Sequence, residues 1–117
     1  MGMHFLAVTL DAEGKSGIIN VKVSDVTHLE SDSPTMVAVH TSDRKYFVMG
    51  SIKYFTGVLE ASGYEFFLSD KGTLVNLNYV IRVDTGLMIL HLSNGKKTYY
   101  SRNKKDQLLS TLSLRGI

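Results

Sequence analysis

The sequence predicts a mostly-β fold with two short helices, and three observations carry that prediction. Ten short runs of alternating or β-branched residues are each bounded by turn-forming residues. An Asn94-Gly95 pair stands between two of those runs, the strongest short-range signal for a β-hairpin. Only two segments repeat their apolar residues at helical spacing.

Along the chain, residues 4–10, 17–23 and 26–30 read as strands. Glu30-Ser31-Asp32-Ser33-Pro34-Thr35 holds the only proline and reads as a polar surface loop. Strands over 36–41 and 45–49 follow, joined by a hairpin connection through Thr41-Ser42-Asp43. Residues 51–61 set Ile52, Phe55, Val58 and Leu59 on one helical face, with Ser51 or Gly50 as the cap and Gly63 as the stop. Further strands are predicted over 66–68, 73–75, 80–84, 88–92 and 98–101. A two-residue turn at Asn94-Gly95 sets Ser93 opposite Lys96, Leu90 opposite Tyr99 and His91 opposite Thr98. That register gathers Met88, Leu90 and Tyr99 on one face. The last helix, 103–112, aligns Leu108, Leu109 and Leu112 behind Asn103 as N-cap.

Composition narrows the function classes. A length of 117 residues fits a single domain over 1–117 with a core that needs no staples. With no cysteine, disulfides, thiolate metal sites and thiol chemistry are all excluded, in keeping with a reducing cytoplasm. Residues 3–10 form one of the longest apolar runs, far short of a bilayer span, and no signal-type core follows the N-terminus. Met1-Gly2 lacks the downstream Ser or Thr of an acylation signal, since Leu6 stands there. The net charge of +2 is unevenly spread: Lys96, Lys97, Arg102, Lys104, Lys105 and Arg115 face Asp106 alone after residue 94. Such a basic end suits a polyanion, although on charge alone a solvated helix terminus accounts for it more simply.

Catalytic and metal chemistry find little support. His4, His28, His40 and His91 are scattered through predicted strands without ligand spacing, so no metal and no cofactor are expected. Glu60, Glu65 and Asp70 lack a partnering nucleophile, so no enzyme and no small-molecule substrate are expected either. Tyr64, Phe66 and Phe67 read as core and rim residues rather than a stacking platform for single strands.

The richest stretch is Phe66-Phe67-Leu68-Ser69-Asp70-Lys71-Gly72-Thr73-Leu74-Val75-Asn76, followed by the Asn94-Gly95 hairpin and a Ser101-Arg102 step. An apolar pair, a short polar loop with a basic residue, an apolar pair with Val-Asn, a strand, a Gly turn and a Ser-Arg step succeed one another in that order. This order resembles the LytTR family, DNA-binding domains of bacterial transcription regulators, over residues 18–112. The resemblance implies an elongated arrangement of small antiparallel β-sheets. It further implies sequence-specific binding to double-stranded DNA through strand-connecting loops that enter the major groove. Members bind direct repeats, so a dimer on DNA is the expected assembly. They commonly carry a receiver domain; 117 residues leave no room for one, so a stand-alone regulator or a fragment of a response regulator is expected.

Carried onto this chain, the resemblance makes Lys71 and Arg102 base-contacting, the arginine as a rigid fork suited to guanine O6 and N7. Thr35 occupies a third contact position in a segment, residues 31–36, that here is acidic and poor in donors. Ser101, Asn103, Lys104 and Lys105 are assigned to phosphates. Asn76 reads as structural, holding the turn to Asn78. The acidic segment, Asp70 and the modest net charge motivate one alternative, a protein-interaction module that keeps this fold without binding DNA.

Overall fold

In a computed structural model that describes residues 3–117, the strands form three antiparallel sheets. Met1 and Gly2, the pair considered for acylation, lie outside the described residues. Strands β1 (Phe5–Val8) and β2 (Ile19–Lys22) make a small ribbon. Strands β3 (Val26–Ser33), β4 (Met36–Thr41), β5 (Lys45–Met49), β6 (Phe66–Asp70) and β7 (Thr73–Asn76) form the central sheet in the order β5-β4-β3-β7-β6. The third sheet, β10-β9-β8, contains β8 (Val80–Asp84), β9 (Ile89–Leu92) and β10 (Lys97–Tyr99). Helix α1 (Ile52–Ala61) follows β5, and helix α2 (Lys105–Leu114) follows β10. The elongation expected is visible in extents of 41 × 31 × 25 Å.

The central sheet is covered on both faces, because successive side chains of a strand point to opposite sides. On one face Leu29, Val37, Val39 and Leu74 pack with Ile52, Phe55 and Leu59 of α1 and Val8 and Val21 of the ribbon. On the other, Phe67 and Val75 pack with Leu90 and Leu92 of the third sheet and Leu108 and Leu112 of α2. Both helices bury the face their apolar spacing predicts, although Val58 and Leu109 are only half-buried. Ser51 caps α1 by accepting from the Tyr54 amide at 3.0 Å. Gly63, at φ +88°, ends it while the Tyr64 amide donates back to the Leu59 carbonyl.

Three expectations need correction. The hairpin at Asn94-Gly95 has a three-residue loop: the Leu92 amide donates to the Lys96 carbonyl at 2.9 Å, and the Gly95 amide to the Leu92 carbonyl at 3.0 Å. Gly95 alone in that loop has a left-handed φ, +84°, while the Asn94 side chain accepts from the Lys96 amide. The register is therefore displaced by one, with Thr98 opposite Leu90 and Tyr99 opposite Ile89. A one-residue displacement exchanges faces, so Thr98 is buried and Tyr99 is 60% exposed, away from Leu90.

Residues 31–35 are not mostly loop. Strand β3 continues to Ser33 through a register shift, leaving only Pro34-Thr35 as the turn into β4. Pairing with β4 on one side and with the Gly72 carbonyl through the Ser31 amide on the other outweighs the polar composition.

Asn103 is not the N-cap of the last helix. Arg102–Lys104 forms a 3₁₀ turn, α2 begins at Lys105, and Asn103 instead accepts from the Ser101 hydroxyl at 2.7 Å. Burial of Leu108 and Leu112 sets the start of α2 without a side-chain cap.

Candidate nucleic-acid interface

The two hairpin turns of the central sheet that carry Thr35 and Lys71 emerge at the same end. Strand β3 runs toward Pro34-Thr35, and β7 lies antiparallel to it with Glu30 opposite Thr73. The Lys71-Gly72 turn that precedes β7 must then lie at the end where β3 finishes. The segment after β10 joins them, because the Ser101 amide donates to the Ser69 carbonyl of β6 at 2.8 Å. The Ser31 amide donates to the Gly72 carbonyl, also at 2.8 Å, and Gly50 donates to Thr35 at 2.9 Å. Main-chain bonds thus tie all three predicted contact segments into one edge.

At this edge Thr35, Lys71, Arg102 and Asn103 are exposed, and Lys104 and Lys105 are half-exposed. No ion pair engages Lys71, Arg102, Lys104 or Lys105 among the described residues. Asp70 accepts from the Gly72 amide at 2.9 Å, so its carboxylate braces the turn that presents Lys71. A cleft of about 460 Å³ lined by Asp70, Lys71, Gly72, Ser101 and Asn103 separates the turn from the helix start. The Ser101 hydroxyl occupies the Asn103 carbonyl oxygen, which leaves the Asn103 amide nitrogen as the donor facing out.

The basic C-terminal stretch does not form one patch. Lys96 donates to the carbonyl of Thr41 at 3.0 Å, at the end of β4 remote from Thr35. Arg115 is paired with Glu65 and bonded to Asn78. Arg102, Lys104 and Lys105 follow directly on Ser101, and Lys104 also lines a cleft with Glu60, Glu65 and Leu77.

Asn76 is 2% exposed and works inside the fold as expected. Its side-chain oxygen accepts from the Asn78 amide at 3.1 Å, and its nitrogen donates to the Val26 carbonyl at 2.9 Å.

One constellation escaped the sequence pattern. His28 and His40 are directly opposed across β3 and β4, and their rings stack at 4.2 Å with an interplanar angle of 4°. Glu30, two residues along β3 on the same face, lies 2.6 Å from His40 Nε2. Burial pushes the His28 imidazole down to about 4, helped by the neighbouring His40. Burial also lowers His40, against the opposing effect of its hydrogen bond to the Glu30 carboxylate. The His-x-Glu spacing was a signal for one shared face, but only the β3–β4 register brings His40 to it.

The comparisons with known proteins agree with this architecture. The sequence model of the LytTr DNA-binding domain family matches residues 16–113. The structure is similar to one described as the LytTr DNA-binding domain of a methyl-accepting/DNA response regulator from Bacillus cereus. The TM-score is 0.73 at 22% identity, over 92% of this chain and 97% of that one. No curated protein matches the chain. Among the described residues no helix is long and apolar enough to cross a membrane. With the family model covering residues 16–113, the chain belongs to the LytTR family of DNA-binding domains.

Proposed function

We propose that this domain recognises double-stranded DNA by sequence in bacterial transcription regulation, presenting the Thr35, Lys71 and Arg102 segments to the major groove. The observation that carries this reading is the common edge: three turns joined by main-chain hydrogen bonds, with Lys71, Arg102, Lys104 and Lys105 free of ion pairs there. Arg102 and Lys71 read bases, since a cation at the tip of a turn can reach the O6 and N7 acceptors of guanine. Thr35 adds a hydroxyl and a methyl, the latter suited to a thymine methyl. Asn103, Lys104 and Lys105 hold phosphates, and the Ser101 hydroxyl, which fixes the Asn103 amide in the free protein, turns its single proton to a phosphate oxygen when DNA is bound. Each copy serves one of two direct repeats in the cytoplasm, and two copies pair on the DNA.

Selection of bound duplexes from a random pool, followed by affinity measurements over a range of salt, tests the proposal. Displacement of counterions by the two phosphate-holding lysines predicts a log-log slope of about −2 per copy. A slope near zero, or an unenriched pool, favours the interaction-module reading instead.

A further inference from the structure

We propose that His28, Glu30 and His40 form a binding site for a divalent transition-metal cation of the zinc class, through two imidazole nitrogens and one carboxylate oxygen. Nothing in DNA recognition uses these residues, which stand on the face of the central sheet away from α1.

The sheet register supplies the geometry. His28 faces His40 directly across the β3–β4 pair, and Glu30 follows His28 on the same side of the strand. One ligand atom from each residue lies within 4.8 Å of the other two. Tetrahedral coordination at about 2.0–2.2 Å per bond needs ligand atoms roughly 3.4 Å apart, so His40 Nε2 and Glu30 Oε1, now 2.6 Å apart, must open, while the wider separations, none above 4.8 Å, close. Parallel rings also aim their lone pairs in parallel, and a turn of the His40 ring about its terminal torsion makes them converge. That torsion is broad, and the open groove beside the ring, lined by Lys96, Thr98 and Tyr99, gives it room.

Thr27 fixes the tautomer of the more buried imidazole. Its hydroxyl lies 3.1 Å from the His40 carbonyl, a pure acceptor, and 3.1 Å from His28 Nδ1. A hydroxyl has one proton to donate, so with that proton on the carbonyl it must accept from His28 Nδ1–H. The His28 Nε2 lone pair is then free for a metal. An outer hydrogen bond of this kind commonly orients a ligating histidine. The side chain of Glu30 is 45% exposed, which leaves an approach from solvent, and it supplies the negative charge of the set, against the ammonium groups of Lys45, Lys96 and Lys97 nearby. Two imidazoles and one carboxylate suit zinc, cobalt or nickel, whereas magnesium and calcium require more oxygen ligands.

Calorimetric titration of untagged, chelator-treated protein with zinc chloride, repeated with cobalt chloride and visible spectroscopy, tests the site without DNA. We expect one equivalent of zinc to bind, cobalt to give visible d–d absorption, and magnesium to give no heat. His40→Gln and Glu30→Gln should each weaken zinc binding by tenfold or more, and Thr27→Val by about tenfold through the lost orienting bond. His4→Gln and His91→Gln should leave it unchanged. Urea unfolding of each variant in chelator establishes that it is folded. Absence of a stoichiometric zinc site in the parent protein would overturn the proposal, as would unchanged affinity in folded His40→Gln and Glu30→Gln, or loss of the site in His4→Gln or His91→Gln.

Discussion

The side-chain amide of Asn76 donates to the carbonyl of Val26 at 2.9 Å, joining residues 50 positions apart in the chain. The other end of the same amide accepts from Asn78, so one buried side chain closes both the β3 start and the turn after β7. Asn76→Ala leaves a carbonyl and an amide without these partners, at a cost of about 2 kcal/mol or more. Asn76→Asp should be worse at neutral pH, because it turns an acceptor toward an acceptor. Urea unfolding measures both, and an Ala variant of parental stability would show that Asn76 is not a structural tie.

Base reading and phosphate anchoring should separate between Arg102 and Lys104. Both lie in the 3₁₀ turn that follows Ser101, and neither has an ion-pair partner among the described residues. Arg102→Ala should cost about 1–3 kcal/mol on the selected site and relax preference at one position. Lys104→Ala should weaken all duplexes alike and reduce the salt slope by about one. Titrations on matched and single-base-changed duplexes decide it. Equal, sequence-blind losses would demote Arg102 to a phosphate contact and leave Lys71 as the remaining cationic base reader.

Two glycines should fail for different reasons. A Cβ at Gly95 meets nothing within 4 Å, so Gly95→Val suffers only from the left-handed backbone at φ +84°, roughly 1–2 kcal/mol. At Gly50 the φ is +142° and an added Cβ would sit 2.9 Å from Phe55 Cε2, so Gly50→Ala must displace a core ring as well. Thermal unfolding should rank Gly50→Ala as the more damaging. Gly95→Val should retain its operator preference, since the β9–β10 tip lies at the end remote from Thr35.

Metal-free protein should lose stability as the pH falls from about 6.5 to about 4. His28 stays neutral in the fold down to about 4, whereas the unfolded chain takes up the proton near 6.5. Protonation therefore favours unfolding across that window, by up to about 1.4 kcal/mol per pH unit for one site. His40 is lowered in the same direction and adds to the slope. Asp11, held near 2 chiefly by the Ser16 hydroxyl, contributes stability that disappears only below the usual carboxylate range. Urea unfolding in chelator at successive pH values should give a shallower profile for His28→Gln than for the parent.

What the sequence disclosed followed from local chemistry. Strands 36–41, 45–49 and 80–84 lie where alternation put them, and Ser51 and Gly63 bound α1 through a cap and a left-handed stop. Quantities that depend on pairing were less legible. Asn94-Gly95 marks a hairpin with either two or three loop residues, and the difference moves Tyr99 from one face to the other. Ser31 to Ser33 have a loop's composition, yet the neighbouring strand supplies partners that make them β. Charge shows the same limit: Lys96 and Arg115 are spent on Thr41 and Glu65, contacts that arise only once distant segments meet. The nearness of His40 to His28 and Glu30 belongs to this class as well.

The bonds from the Ser31 amide to the Gly72 carbonyl and from the Ser101 amide to the Ser69 carbonyl run between backbone atoms, the second accompanied by a longer one from the Ser101 hydroxyl. On the proposed reading, the protein's reading frame on DNA is therefore written in the main chain, while the letters it accepts are written in side chains. Substitutions at Thr35, Lys71 or Arg102 could drift through different operator sequences while the spacing between the bases they address stays constant. An operator with an inserted base pair between two contacted positions would find no compensating side-chain change at this edge. It would demand a new strand register, which a single substitution does not supply.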